Sequence, residues 1–493
     1  MPALLWFRRD LRLHDNPALD AAMRQSTDSS VAGLFVIDPV LEAASGPVRL
    51  EWLRRSLSEL NEQLAGRLII LRGNPSDVVL RVARELAVDG VFVSRDFGHY
   101  GHQRDLAVTA SLAEHSIAFT EIGSPYAVDP GSVVKADGSR YLVYTPFYKA
   151  WLAHGYPTPT ELDPSSVRWV DPGADASLKA AVSQQLGQLA KPITAVELPE
   201  VGEQAALDRW QWFREGPLAE YGDDRNRPDL DATSNLSAYL RWGQIHPRTL
   251  LADLAPHLEL ATTKGPEVFR KEIAWREFYA DVLTANPSSI RKSLDRRYDT
   301  DLHINWGPSA EENYNAWCEG RTGYPFVDAG MRQLRATGWM HNRVRMVTAS
   351  FFVKGLHLPW QRGAAEFMYW LRDGDSASNQ HGWQWVAGCG TDAAPFYRIF
   401  NPVLQGLKFD PDGDYVRRWI PELCSLPGAA VHEPWKIAGT LEGDLIAGYP
   451  APIIDHLAER SEALARFGAL PKNVAGSKST KPTNEKKAKG NEN

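Results

Sequence analysis

Apolar and polar positions follow two different rhythms along the chain. Over the first quarter, short apolar runs recur: ALLWF, VAGLFVID, RLIILRG, GVFVSRD and IAFTEIG. Each is apolar on both faces, as a strand buried on both sides requires. Amphipathic stretches near residues 17–26, 49–65, 76–87 and 103–115 separate them and predict helices. Strand–helix alternation of this kind gives a parallel sheet with helices on both faces. Residues 1–125 are therefore assigned to a Rossmann-like α/β domain with a five-stranded parallel sheet. No GxGxxG follows the first strand, so the dinucleotide fingerprint is absent. A ligand of such a sheet would sit at the carboxyl ends of its strands.

Residues 126–200 are rich in Pro, Ser, Gly and Asp and read as an irregular connector lying on the surface. From 201 to 472 the apolar period becomes helical, and an all-α C-terminal domain is expected. PEVFRKEIAWREFYADVL and FVDAGMRQLRATG are its clearest helices. Residues 473–493 are Lys-, Asn- and Ser-rich with almost nothing apolar and read as a disordered basic tail.

Composition narrows the class. The chain has 493 residues, 43% hydrophobic and 23% charged, which is the balance of a soluble globular protein. No apolar run reaches the roughly 18 residues of a membrane span, and the first apolar stretch is too short for a signal peptide. Cys318, Cys389 and Cys424 lie far apart. They imply neither a disulfide framework nor a metal site, and they fit a reducing cytoplasm. A net charge of −7 counts against a uniformly basic nucleic-acid binder. One basic face would still suffice, because net charge does not report distribution. The 17 Trp residues are unusual. Core packing accounts for most of them, and a redox role for any needs local evidence.

Four segments carry candidate chemistry. Glu272, Trp275, Arg276 and Tyr279 share one helical face. That face suits either the wall of a cavity for a flat polar ligand or a surface ion pair between Glu272 and Arg276. In WMHNRVRM, Asn342, Arg345 and Met346 share a face, either on a cavity or on a basic surface helix. In DGDSASNQHGWQW, Asp375, Asn379 and Trp383 are spaced by four, with Asp373 beside them. Small residues recur there and allow close approach to a ligand. Finally Thr233, Ser234 and Ser237 precede a helical stretch, with Arg225 nearby. They are either ordinary caps or an anion site for a diphosphate.

Taken together, the segments WFRRDLRLHDNPAL, TSNLSAYLRWG, IAWREFY, TGYPFVDAGMRQLRATGWMHNRVRM and WQWVAGCGTDAAPFYRIFNP resemble the photolyase and cryptochrome family. The resemblance implies an N-terminal α/β domain, a long linker and a helical domain that binds FAD. It implies that Tyr221, Arg225, Thr233, Ser234, Leu236, Ser237 and Arg276 hold the cofactor. Arg345 and Asp373 form an ion pair beside the isoalloxazine, Asp375 meets the ring edge, and Asn379 faces flavin N5. Trp383, Trp360 and Trp306 match the electron-relay tryptophans. Gln380–His381 departs from the Asn–Gly of the closest pattern, and His381 is a group expected to titrate near pH 7.

The resemblance also implies a substrate. Glu272, Trp275, Asn342, Met346 and Trp385 match the dimer-contacting set of photolyases that repair cyclobutane pyrimidine dimers in DNA under blue light. The (6-4) enzymes carry His where this chain has Met346, consistent with their need for proton transfer. Damaged DNA is thus the expected partner of a cytoplasmic monomer, with the dimer flipped into the cavity. Excited reduced FAD would give the electron, and a protonated Glu272 would steady the dimer radical anion. A second, antenna chromophore is expected to be an 8-hydroxy-deazaflavin rather than folate, because the folate-binding type carries an acid where this chain has Gly101. Asp96, Arg49 and Arg241 would contact it. The alternative reading is a cryptochrome, a blue-light receptor signalling through a protein partner.

Overall fold

Strand β1 (Ala3–Phe7) is buried at every position and lies at the centre of a parallel sheet. Around it are β2 (Ser30–Ile37), β3 (Ile69–Arg72), β4 (Gly90–Val93) and β5 (Ala118–Glu121), in the order β3-β2-β1-β4-β5. The structure is a computed structural model, and it describes residues 1–471 apart from 28, 175, 261, 301–303, 393–397 and 438–445. The basic tail expected at 473–493 lies outside the described residues.

Alternate residues of β1 and β2 enter different cores. Leu5, Phe7 and Phe35 join a cluster with Trp52, Leu57 and Leu60 of the Pro47–Gln63 helix. Leu4, Trp6 and Leu34 join Val79, Val82 and Leu112 on the other face. This is the two-unit side-chain period of a strand with helices on both sides. The run at 118–121 departs from the expectation of burial: β5 is exposed or half-buried because it is the sheet edge.

Residues 126–200 are less irregular than their composition implies. They contain helices Tyr144–His154 and Ala176–Leu189, and Arg168–Trp169 forms a short strand, β6, paired with β2. Leu178 and Val182 of the second helix complete the core on one sheet face. Composition hid these elements, because tertiary burial of a few apolar residues outweighs weak local propensity.

The remainder is helical, with a second core built around Trp317, Phe326, Phe352 and Tyr415. The Gly265–Ala285 helix works on two faces. On one, Glu277 accepts from the backbone N–H groups of Ala127 and Val128 at 2.5 and 3.2 Å, and Asp281 accepts from Gly131 at 2.6 Å. These bonds fasten the segment after β5 to the helix. The other face is left for the site.

The sheet and the helices meet closely at Gly243, which ends the Ser237–Trp242 helix with φ +66°. A Cβ there would lie 2.0 Å from the carbonyl oxygen of Arg9. Gly243→Ala should therefore lower stability by about 1–3 kcal/mol in urea unfolding, from left-handed strain together with this contact. An unchanged midpoint and slope would refute the close approach.

Candidate cofactor and substrate cavity

Three helices and one loop converge on a cavity of ≈ 490 Å³. Helix Gly265–Ala285 contributes Glu272, Trp275, Arg276 and Tyr279, and helix Asn342–Ser350 contributes Asn342, Arg345 and Met346. Helix Ser376–Ala387 contributes Ser378, Asn379, Gly382, Trp383 and Trp385, with Asp373 and Asp375 just before it. The loop and helix start contribute Tyr221, Arg225, Ser234 and Ser237. The spacings of three and four put these side chains on common helical faces. Thr233 and Leu236 are not in the wall. The Thr233 carbonyl accepts from Arg209, and Leu236 is buried in the core.

The floor of the cavity is a cluster of charges. Asp375 caps its helix by accepting from Ser378 N–H at 3.0 Å, and it accepts from Arg9 Nη2 at 2.8 Å. Burial pushes its carboxyl up, but Arg9, Arg241 and Arg276 outweigh that and hold it well below the usual carboxylate range. Burial, with Arg9 beside it, pushes Arg241 down to about 9. Arg345 Nη2 donates to Asp373 Oδ2 at 2.8 Å.

Pairing around Glu272 departs from the surface-ion-pair reading of its helix face. Glu272 does not pair with Arg276. It accepts from Arg225 Nη1 at 2.5 Å, while Arg276 donates to the carbonyls of Pro125 and Leu240 and lies 4.6 Å over Tyr126. Arg225 is correspondingly committed to Glu272.

His381 does not match the expectation of a group titrating near neutrality. It is buried, its Nδ1 meets the Ala377 carbonyl at 2.9 Å, its Nε2 meets Ser289 Oγ at 3.0 Å, and its ring stacks on Tyr279. Burial pushes it down to about 4.

The tryptophans run from interior to surface. Trp383 is 3% exposed and packs edge-on against Phe352, Phe367 and Trp317. Its indole also lies on Gly363, where a Cβ would come within 2.2 Å of it. Gly363 is one turn along the helix that Trp360 begins. Trp360 is 5% exposed and donates to Ser293 Oγ at 3.1 Å. Trp306 is 61% exposed. Its neighbour Asn305 bonds to the carbonyls of Leu356 and His357, just before Trp360.

Of the antenna residues, Arg241 and Arg49 meet at Gly374. Arg241 lines the cavity and donates to the Gly374 carbonyl at 2.9 Å. Arg49 bonds to the carbonyls of Met368 and Ala44. Asp96 accepts from Arg104 at 3.2 Å and lies against Gly101. Sequence reasoning missed Arg9 as the partner of Asp375 and Arg209 as the clamp on the 233–234 carbonyls. Arg9 had a signal, since it follows the carboxyl end of the central strand, where ligands of parallel sheets bind.

Three buried polar atoms around the cavity lack a partner: Arg241 Nη1, Asp373 Oδ1 and Trp383 Nε1. Buried groups of this kind are normally satisfied. Two donors and an acceptor around aromatic walls fit a flat heteroaromatic ring with both N–H and carbonyl edges. The isoalloxazine of FAD has that chemistry. Among the described residues no group of His, Cys, Asp and Glu could hold a metal ion, and no helix is long and apolar enough to cross a membrane.

A parallel α/β sheet joined to a helical body around such a cavity defines a cofactor-binding protein of the flavin-dinucleotide type. Comparison with known proteins supplies the family. Residues 3–165 match the DNA photolyase model, and residues 269–469 match the FAD binding domain of DNA photolyase. The deoxyribodipyrimidine photo-lyase of Escherichia coli is 38% identical over 95% of this chain and 99% of its own. A class III photolyase of Agrobacterium tumefaciens superposes with a TM-score of 0.81 at 34% identity, over 95% and 97% of the two chains. A Sulfolobus tokodaii photolyase crystallised with two FAD molecules gives 0.78 at 28% identity, over 95% and 100%. The chain belongs to the DNA photolyase family.

Two outcomes are expected. Asp375→Asn keeps a capping acceptor but leaves three guanidinium groups without their anion. It should cost roughly 2–4 kcal/mol in thermal or urea unfolding, and Asp375→Ala about 1 kcal/mol more. The second concerns pH. Burial pushes His381 down to about 4 in the folded chain, below the ordinary imidazole range that the unfolded chain keeps. As pH falls from 6.5 towards 4, the unfolded chain takes up the proton first, so stability falls. His381→Asn should flatten this part of the stability–pH curve, and an identical curve would show that the imidazole titrates normally.

Proposed function

We propose that the chain repairs cyclobutane pyrimidine dimers in DNA under blue light, using FAD held in the cavity. The observation that carries this is the cavity wall. Glu272, Trp275, Asn342, Met346 and Trp385 gather on it beside the residues that fit the flavin. FAD, when bound and reduced, supplies an electron on absorbing light.

The chain's own residues do the rest. Ser234 and Ser237 offer hydroxyls, and the open start of the Ser237–Trp242 helix offers N–H groups, to the diphosphate. Arg276 and Tyr221 close that end of the cavity. Arg345, Asp373 and Asn379 orient the ring. Trp275 and Trp385 give apolar faces for the two pyrimidines of a flipped dimer. The Arg225–Glu272 pair gives a polar edge whose hydrogen bonds turn to the dimer carbonyls and N–H groups. Met346 supplies no proton, which matches a cleavage needing only an electron out and back. Trp383, Trp360 and Trp306, buried to exposed, would carry an electron between solvent and FAD bound in the cavity.

The crevice between β1 and β4, where the strand order reverses and ligands of open parallel sheets bind, is the place we assign to a second chromophore. Asp96 follows β4 on that side. The resemblance favours a deazaflavin over folate there, and the absorption spectrum of the purified protein distinguishes them.

The decisive assay is blue-light repair of an oligonucleotide containing one thymine dimer, after anaerobic reduction. Restoration of intact thymines that depends on both light and reduced FAD is expected. Bound, photoreducible FAD without repair would overturn the reading. Trp383→Phe should slow photoreduction of oxidised FAD at least about tenfold while chemically reduced enzyme still repairs. Glu272→Ala should lower repair yield or lesion affinity by a similar factor, about 1.4 kcal/mol.

A further inference from the structure

We propose that Gln380 is a positioning residue that locks the Asn379 amide, so that its oxygen and not its nitrogen faces the cavity. The inference rests on the flavin reading of the cavity and concerns the departure at Gln380–His381.

Two backbone carbonyls settle both amides. Asn379 Nδ2 lies 3.0 Å from the Ala364 carbonyl, and Gln380 Nε2 lies 2.8 Å from the Ile290 carbonyl. A carbonyl only accepts, so the group facing each must be the NH₂. Gln380 Oε1 is then the atom left to receive Asn379 Nδ2, at 2.7 Å. Both protons of the Asn379 amide are used, and its Oδ1 is left facing the cavity it lines. Rotating that amide would set Oδ1 against two other acceptors. The wall at Asn379 is thereby an acceptor only.

Gln380 is itself held. His381 bonds to Ser289 Oγ, and Gln384 Nε2 donates to the Ser289 carbonyl at 2.7 Å while its Oε1 accepts from Leu294 N–H at 2.9 Å. Residues 380, 381 and 384 thus form a polar seam between this helix and residues 289–294. The opposite face, with Asp375, Asn379 and Trp383, is turned to the cavity. An acceptor-only wall favours whichever ring form carries a proton on the nitrogen it faces. Gln380 acts on the ring solely through Asn379.

The test is the midpoint potential of bound FAD against pH in wild type, Gln380→Leu and Gln380→Met. Held then by the Ala364 carbonyl alone, the amide turns its NH₂ to the ring more often. The balance between protonated and unprotonated ring forms should then shift about tenfold towards the unprotonated one, about 1.4 kcal/mol. The pH dependence of the potential should shift with it. An unchanged potential and pH dependence in both Leu and Met variants overturns the proposal, even where thermal stability falls. Hydrogen exchange of the Asn379 side-chain amide in ¹⁵N-Asn-labelled apoprotein reads the lock without cofactor. Protection in wild type and its loss in Gln380→Leu are expected, and equal exchange in the two overturns it. Failure of the wild type to bind FAD would instead count against the flavin reading itself.

Discussion

Everything at the centre of this molecule depends on keeping charged side chains out of water where the sheet meets the helices. Asp375 is the pivot. Its carboxylate caps a helix, receives Arg9 from the end of β1 and balances Arg241 and Arg276. Breaking one partner of such a buried set leaves the others uncompensated, which costs far more than an exposed ion pair contributes. The same pair therefore joins two parts of the chain 366 residues apart and fixes the cavity floor.

The helix at 265–285 shows how one element serves both packing and chemistry. Glu277 and Asp281 hold the segment that follows β5, and Glu272, Trp275, Arg276 and Tyr279 form the cavity wall. Tension between these tasks appears in the aromatic contacts. Trp275 stacks on Tyr144 at 3.7 Å between centroids, so a helix from the connecting segment backs an indole of the cavity wall. The connector is thus part of the site's support and not a passive tether.

The polar atoms without partners are as informative as those that have them. Arg241, Asp373 and Trp383 each present an unsatisfied buried atom at the cavity. A folded chain bears that cost where a ligand meets it. Gln380 and the Ala364 carbonyl work the other way: together they take both protons of the Asn379 amide. Ligand selectivity follows as much from atoms that have been used up as from those left free.

Periodicity by itself determined the strands, most helices and the helical faces of the cavity, because side-chain spacing of two or near four is a local property of the backbone. The long motifs determined the family. Only tertiary structure decided that Glu272 pairs with Arg225 and not with its own-helix neighbour Arg276. It decided also that Arg241 turns into the cavity and that burial pushes His381 down. Helices within 126–200 and the exposure of β5 belong to the same class. In each case the outcome depends on which distant group lies within a few ångströms and how much water remains between them. Neither quantity is encoded at any single place along the chain.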